Sequence, residues 1–376
     1  MLFHHDSRAY DAAATHAAEW ARDKFHDMTK SGMDKGVWLL QKVEAEEPED
    51  RIVRARAMSF EPTETAIKMH VKDNDGWSTL SPLHKHALGQ AVDRTELFNR
   101  KALSAYLDAG AWGREQVSAI LTDAYQHIDS KRYLVRSTPD HVKGILSDRF
   151  RRMDSRPIVD AFVKEAMTSD KHLPMAVTDA HWLETSWNLR LMLCTTFEPV
   201  PNEVMAYGIQ ISNSDYGDGA LSLRAFCLRL WCTNLAITEE AIRKVHVGRR
   251  LSDDIAYSQR TYELDTAATA SAVGDTVRLL LSPAYVDEEM AKIKKAAESN
   301  VDPKTVLARL RARNDVLVGE AKEIAEAFNQ PDIEMLPAGN NKWRLSNAIS
   351  LIAGRKMEED ERRGCELQAI AGKVLR

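Results

Sequence analysis

The pattern of hydrophobic and polar positions changes along the chain and begins with a helical spacing. Within residues 6–30 apolar side chains recur every three or four positions, which predicts an amphipathic helix. The alternating segments RIVRARAMSF and TAIKMHV then predict two strands. Ser81 followed by Pro82 is typical of a helix start, and the spacing over residues 115–128 predicts one more helix.

The middle of the chain carries most of the alternating segments. KRYLVRST predicts a strand, PDHVKGILSD a short helix and RPIVDAFVKEAM a second helix. Residues 181–197, 204–212 and 220–232 predict three strands, with the polar turn NSDYGDG between the last two. Because the connections are too short for parallel crossovers, we predict an antiparallel meander that includes a hairpin. The segment EEAIRKVHVG, which follows Thr238, predicts a helix that packs against this sheet.

Helical spacing returns from about residue 253 and continues to the end of the sequence. One long helix is predicted up to Ser282–Pro283, and the next is predicted to begin at Asp302–Pro303. We therefore predict an α+β protein with a central antiparallel sheet. Its predicted parts are a mixed α/β N-terminal section over residues 1–130, a central sheet core over 131–250 and a helical C-terminal region over 251–376.

The overall composition is typical of a soluble globular protein, with 44% hydrophobic and 28% charged residues. No apolar run approaches the roughly 18 residues of a membrane helix, and the N-terminal segment lacks the layout of a signal peptide. The four cysteines follow no metal-like spacing and suit a reducing compartment. We therefore expect a cytoplasmic protein without a membrane partner and without a cofactor.

Positive charge is concentrated locally, although the formal net charge of −5 argues against a general nucleic-acid coat. Residues 131–156 hold eight basic and three acidic residues, and residues 224–250 hold six and two. Arginine and lysine neutralise phosphates, and the interleaved Phe150, Phe226 and Trp231 could stack on bases. The alternative is solubilising surface charge with the aromatic rings in the core. Under the first interpretation the nucleic-acid-binding residues are Arg149, Arg151, Arg152, Arg156, Arg224, Lys244, Arg249 and Arg250.

The sequence contains no motif of a well-defined catalytic class, so we assign no catalytic residue and no metal site. Asp215, Asp218, Glu184 and His246 could hold a divalent ion for phosphodiester chemistry. The simpler interpretation is that both aspartates form the hairpin turn. The sequence leaves both interpretations open.

Four short motifs carry a resemblance to a known family. The matching positions are Ser147, Asp148 and Arg149, then Asn213, Ser214, Gly217, Arg229, Cys232 and Asn234, then His246 and Gly248, and finally Asn347 and Ala348. In this order, over residues 80–376, they resemble the phage- and prophage-borne family catalogued as domain of unknown function number 932. Asp215 and Leu235 depart from the glutamate and the glycine that are usual in the hairpin motif of that family.

The resemblance implies a phage, prophage or plasmid setting, and hence a bacterial host cytoplasm, but no defined activity. An antiparallel sheet that bears arginines and precedes a helix also matches the general layout of ring-forming single-strand annealing proteins. We therefore predict a protein of the annealing or recombination kind that binds single-stranded nucleic acid and forms homo-oligomers. The alternatives are a metal-dependent nuclease or nucleotide-processing enzyme, and a phage interaction protein that engages a host component.

Two arginines in the predicted hairpin have different expected roles. Arg224 and Arg229 are five positions apart, so on a regular strand their side chains face opposite sides of the sheet. We predict that one of them faces solvent while the other is buried and paired. Arg229 is the one that belongs to the family-like motif.

Overall fold

The N-terminal part of the chain contains both helices and strands, as a computed structural model shows. The structure describes residues 7–73, 75–96, 98–127, 131–168, 173–201, 203–230, 234–244, 246, 258–329, 336–337 and 339–375. The first elements are α1 (Ser7–Ala45), β1 (Glu49–Arg54), β2 (Met58–Pro62), β3 (Ile67–Asp73), β4 (Gly76–Pro82), α2 (Lys85–Thr95), α3 (Arg100–Asp108) and α4 (Ala111–Gln126). A 3-10 turn, Ala55–Ala57, links β1 to β2.

Strands dominate the centre of the chain, and helices follow to its end. The central elements are β5 (Arg132–Ser137), β6 (Val142–Ser147), α5 (Ser155–Thr168), β7 (Met175–Leu183), β8 (Ser186–Phe197), β9 (Met205–Asn213), β10 (Leu221–Arg229) and β11 (Asn234–Lys244). The C-terminal helices are α6 (Gln259–Leu280), α7 (Pro283–Glu298), α8 (Pro303–Ala312), α9 (Val318–Asn329), α10 (Lys342–Glu359) and α11 (Glu361–Leu375). Within the ranges given above, no helix is long and apolar enough to span a membrane.

The described strands form antiparallel sheets, which makes the protein α+β as predicted. The strand orders are β1-β5-β6, β2-β3-β4 and β11-β10-β9-β8-β7. Because β1 pairs with β5, the first sheet combines residues from both sides of position 130. The five-stranded sheet is a meander in which each strand pairs with the next one along the chain.

The predicted hairpin is confirmed. β9 pairs antiparallel with β10 and places Met205 opposite Arg229. Gly217 in the connecting turn has a φ of 78°, a left-handed conformation that glycine adopts without steric cost. The two arginines of β10 also differ in burial, because Arg229 is buried and pairs with Glu203 whereas Arg224 is half-buried.

Two segments that the sequence predicts as helices are strands. PDHVKGILSD contains β6, which pairs with β5 and is buried over residues 142–146. A short apolar run that is buried on both faces shows no alternation, so periodicity cannot distinguish a strand from a helix there. EEAIRKVHVG contains the end of β11, which pairs with β10 at the edge of the meander. Pairing along this edge outweighs the helix propensity of its glutamates, alanine and arginine.

Two predicted boundaries are also wrong. Ser81 and Pro82 end β4 instead of opening a helix, because β4 is an edge strand, where proline is tolerated. The helix α2 begins after them at Lys85, with His84 as its N-cap. The single strand predicted over residues 181–197 turns back on itself and belongs to both β7 and β8.

The other helix predictions that fall on described residues are confirmed. α1 includes the predicted N-terminal helix and continues to Ala45, and α4 and α5 lie where the apolar spacing predicts them. The side chain of Ser282 accepts the N–H of Tyr285 at the start of α7. Asp302 caps α8 in the same way, with a proline at the first helical position.

The helices and sheets pack around two main hydrophobic cores. The larger lies between the meander and the helices α1, α5 and α6–α11, and it includes Trp187, Tyr207 and Trp343. The smaller lies between the β1-β5-β6 sheet, the β2-β3-β4 sheet and the helices α2–α4. α1 approaches β7 so closely that a Cβ atom on Gly32 would lie 1.7 Å from the carbonyl oxygen of Val177.

Candidate functional site

Two cations of the first basic segment are paired with carboxylates from distant parts of the chain. Arg151 donates hydrogen bonds to both carboxylate oxygens of Asp265 in α6. Arg156 lies 3.3 Å from Glu44 and 3.1 Å from Glu47, near the end of α1. These ion pairs neutralise both arginines within the protein.

A third predicted residue, Arg152, is buried, with 6% of its surface exposed. Its Nε lies 3.0 Å from the carboxylate of Asp50, and its guanidinium lies 3.9 Å from the centre of the Tyr262 ring. Nη1 also donates a hydrogen bond to Gln259. These contacts join β1, through Asp50, to α6, through Gln259 and Tyr262. A phosphate could reach Arg152 only if this packing opened.

The remaining predicted residues occupy different places. Arg149 is exposed and follows β6. Arg224 and Lys244 are half-buried on the neighbouring strands β10 and β11. Arg249 and Arg250 lie outside the described residues.

Arg149 lies among cations that are far apart in the sequence. β1 and β6 both end, and β5 begins, at the same end of the first sheet, because β5 pairs antiparallel with both. Arg94 lies in the last turn of α2, near Tyr133 of β5. Burial raises the pKa of Tyr133, and the positive charge of Arg94 opposes this rise. We call this group the cationic end; its members are Arg54, Arg56, Arg94, Lys131, Arg132 and Arg149.

Strand pairing brings like charges together at the cationic end. Arg54 is the cross-strand partner of Arg132, and like charges directly opposite each other destabilise a sheet. Asp148 lies 3.4 Å from Arg132 and neutralises part of this charge. The backbone N–H of Ala55 donates to the carbonyl of Lys131, which holds the 3-10 turn against the start of β5. Apart from Arg132, which is half-buried, all members of the cationic end are exposed.

The hairpin turn that carries the family-like motif is buried and highly hydrogen-bonded. Asn213 donates to the carbonyl of Met153 at 2.7 Å and to the hydroxyl of Ser155 at 3.1 Å. The carboxylate of Asp215 accepts the backbone N–H of Ser155 at 2.9 Å. Arg136 of β5 donates to the carbonyl oxygen of Asp215 at 2.8 Å. We call residues 213–218 and these partners the turn network, and it joins the meander to the first sheet.

His246 completes the turn network. Its ring is stacked on Phe150, with ring centres 4.7 Å apart and planes inclined by 5°. Burial lowers the pKa of His246 to about 4, so the ring is neutral at pH 7. Nδ1 lies 2.9 Å from the carbonyl oxygen of Arg151, and Nε2 lies 3.1 Å from the side-chain oxygen of Asn213. The neutral ring has one N–H and donates it to one of these two acceptors. The motif histidine therefore has a structural position between the hairpin turn and the segment that follows β6.

The neutral His246 is expected to give the protein a measurable pH dependence of stability. The pKa of His246 in the folded protein is about 4, below the ordinary value of 6.5. Its contribution to the free energy of unfolding is therefore complete above pH 6.5 and is lost as the pH falls through 4. Burial raises the pKa of the Asp215 carboxyl from its ordinary 3.8 to about 6. Its contribution to stability is therefore largest at low pH and is lost as the pH rises through 6. We expect the stability difference between the parent and a His246→Gln variant to shrink on acidification, as urea denaturation from pH 7 to pH 4 would measure. Parallel pH curves for the two proteins would contradict a buried, neutral His246.

The residues of the metal-ion alternative lie in two separate places. Asp215 and His246 contact residues 151–155, whereas Glu184 and Asp218 line a cleft. Among the residues that the structure describes, no group of three or more histidine, cysteine, aspartate or glutamate side chains is arranged to hold a metal ion. The geometry therefore gives the nuclease alternative no support.

The cleft has a volume of about 770 Å³ and lies where α2, α3 and the β7–β8 turn meet. His84 accepts the backbone N–H of His86 at Nδ1, so its Nε2–H donates to Glu184 at 2.6 Å. The amide of Gln90, whose oxygen accepts a main-chain N–H, donates to Nε2 of His86 at 2.9 Å. The same Nε2 lies 3.2 Å from the carbonyl oxygen of Tyr216, and Nδ1 lies 3.8 Å from Asp218. Both ring nitrogens of His84 are hydrogen-bonded, and burial lowers the pKa of His86. We assign the cleft no catalytic role.

Three members of the cationic end lie outside the two basic segments, residues 131–156 and 224–250. Arg54 and Arg56 lie in the alternating segment RIVRAR, and Arg94 ends α2. The signal in the sequence is the recurrence of arginine along a predicted strand. These arginines join other cations only because that strand pairs with residues 132–137, and no local sequence pattern predicts this pairing.

Comparisons with family models, curated proteins and solved structures give no match to this chain. The resemblance to domain of unknown function number 932 therefore stays a prediction that rests on its four motifs. In the structure the hairpin motif has a packing role, since Asn213 and Ser214 are buried and hydrogen-bonded within the turn network.

Proposed function

We propose that this protein binds nucleic acid and that the cationic end is its phosphate-binding surface. The observation that carries the proposal is the direct opposition of Arg54 and Arg132 within a group of six cations. Like charges in this position destabilise the sheet. The one carboxylate of Asp148 beside Arg132 cannot balance both arginines, so a bound anion would stabilise this end of the sheet further. Clustered positive charge also raises the local concentration of anionic ligands and speeds their association.

The extent of the cationic end favours a polyanion over a single small anion. Neighbouring strands lie about 4.8 Å apart, so the ends of β1, β5 and β6 together span about 10 Å. Arg56 and Arg94 extend this surface beyond the sheet, on the 3-10 turn and on α2. A nucleic-acid backbone, with its regularly repeated phosphates, can contact several of these cations at once.

The proposal is tested by removing three exposed members of the cationic end together. We expect the variant Arg54→Ala/Arg56→Ala/Arg149→Ala to bind a fluorescein-labelled oligonucleotide more weakly than the parent protein. Each phosphate contact that is lost should lower the slope of log K against log salt by about 0.7 for a single strand and about 0.9 for a duplex. Fluorescence anisotropy at several salt concentrations measures both quantities, and circular dichroism checks that the variant is folded.

The matched control is Arg156→Ala, which removes an exposed arginine that is already paired with Glu44 and Glu47. Its affinity and salt slope are expected to equal those of the parent. A folded triple variant with the parent's slope would refute the proposal. A parent that binds no oligonucleotide would do the same and would put the interaction-protein alternative first. Annealing activity and homo-oligomer formation stay predictions from the sequence.

A further inference from the structure

One face of the β2-β3-β4 sheet is open to solvent. The opposite face is buried in the smaller core through Met58, Phe60, Met69, Val71 and Leu80. Strand alternation places the other side chains on the open face. These are Ser59, Glu61, Lys68, His70, Lys72, Trp77 and Thr79.

Trp77 is the large aromatic residue of this open face. Its surface is 52% exposed, although burial of an aromatic ring of this size is strongly favourable. Its cross-strand partner is Lys72, so a cation lies beside the indole on the same face. His70, further along the middle strand, is held by Glu61 at 2.7 Å and by Thr79 at 2.9 Å, which keeps the centre of the face flat and polar.

Backbone register places Trp77 close to the cationic end. β2 begins with Met58 opposite Val71, so the 3-10 turn that precedes it lies beside Lys72. That turn carries Arg56 and is held by Lys131 through the hydrogen bond of Ala55. The register therefore places Lys72 between Trp77 and the turn that carries Arg56, and this turn adjoins Lys131 of the cationic end.

The β3–β4 turn limits this surface on one side. Asp73 accepts the backbone N–H of Asp75, and both carboxylates lie beyond Trp77 at the tip of the hairpin. Their charge repels phosphates. A bound nucleic-acid backbone is therefore directed towards the 3-10 turn and away from the tip.

We infer that Trp77 stacks on an unpaired base of a nucleic-acid strand whose phosphates lie on the cationic end. The inference rests on the proposed function and narrows its ligand to a single strand. Bases in a duplex are stacked on one another, whereas those of a single strand can be splayed onto an aromatic side chain. Stacking of this kind is tolerant of sequence, because every base has a π-face.

The test compares Trp77→Ala and Trp77→Phe with the parent on three fluorescein-labelled probes of equal length. These are an oligothymidylate, an oligomer of abasic sites and a duplex. We expect Trp77→Ala to weaken binding of the oligothymidylate by about 5- to 150-fold, as alanine substitution of a stacking residue does elsewhere. The phenylalanine variant should retain most of the affinity. Binding of the abasic oligomer and of the duplex should stay at the level of the parent, and the salt slope should not change, because no phosphate contact is lost.

The matched control is Trp112→Ala. Trp112 is 58% exposed and lies in the first turn of α4, where it stacks on Tyr106. This variant should bind all three probes as the parent does. If Trp77→Ala binds the oligothymidylate like the parent while the triple variant of the cationic end does not, stacking is refuted and the phosphate-binding proposal stands. If Trp77→Ala weakens the abasic probe equally, Trp77 acts on the backbone and the inference also fails.

Discussion

An Arg229→Ala variant is expected to lose about 3–5 kcal/mol of unfolding free energy, the usual cost of breaking a buried ion pair by removing one partner. Arg229 has no exposed surface, and Glu203 is 5% exposed. The guanidinium donates to both carboxylate oxygens of Glu203, and the indole N–H of Trp343 donates to one of them at 3.3 Å. Without Arg229 the Glu203 carboxylate would remain buried without its counter-charge, which is the source of the loss. Urea denaturation followed by far-UV circular dichroism measures it.

Two further variants separate charge burial from simple loss of packing. Arg22→Ala breaks an exposed ion pair with Glu198 and should cost at most about 1 kcal/mol. The double variant Arg229→Met/Glu203→Leu removes both buried charges and should recover most of the stability that Arg229→Ala loses. If Arg229→Ala cost no more than Arg22→Ala, the pair between Arg229 and Glu203 would have to be open to water.

An Arg136→Met variant is expected to lose stability by a similar amount, about 3–5 kcal/mol at pH 7. The buried guanidinium donates to Asp50 at 2.7 Å, to Asp154, and to the main-chain oxygen of Asp215 at 2.8 Å. Burial raises the pKa of the Asp215 carboxyl to about 6, and the positive charge of Arg136 limits this rise. Without Arg136 that pKa should rise further, because the remaining effects of burial and of Asp154 both favour the protonated form.

The loss in Arg136→Met should therefore depend on pH in a defined direction. A carboxyl with a raised folded-state pKa contributes stability at low pH, and this contribution is lost as the pH rises through that pKa. We expect the deficit of Arg136→Met to be larger at pH 7 than at pH 5, as denaturation at the two pH values would show. Adding Asp215→Asn should remove most of this difference. An equal deficit at both pH values would mean that Asp215 does not depend on Arg136.

The parts of the fold that the sequence predicts are those whose pattern is local. The hairpin between β9 and β10 could be predicted because alternation on both strands and the chemistry of the turn agree. β6 could not, since its residues are buried on both faces and show no alternation. β11 could not either, because its strand conformation depends on pairing with β10 and not on its own helix-favouring residues.

The candidate site depends on contacts that are remote in sequence. The concentration of cations in residues 131–156 is real, but Arg151 and Arg156 are neutralised by carboxylates of α6 and α1. Conversely, Arg54 stands in an unremarkable segment and becomes part of a cationic surface only through its pairing with Arg132. Counting charges along the chain gives their number, whereas antiparallel pairing decides which of them share a surface.

The close packing of α1 on β7 has a consequence for the nascent chain. Gly32 of α1 packs against the backbone of Val177 in β7. Because Val177 comes much later in the sequence, the ribosome synthesises α1 long before the strand against which it packs. At about 5–20 residues per second, the ribosome needs roughly 7–30 seconds to advance from one position to the other. During that time Leu39 and Val43, which the finished protein buries in the larger core, are exposed on the emerging helix. A chaperone that binds short apolar segments would therefore find α1 exposed until β7 has been synthesised.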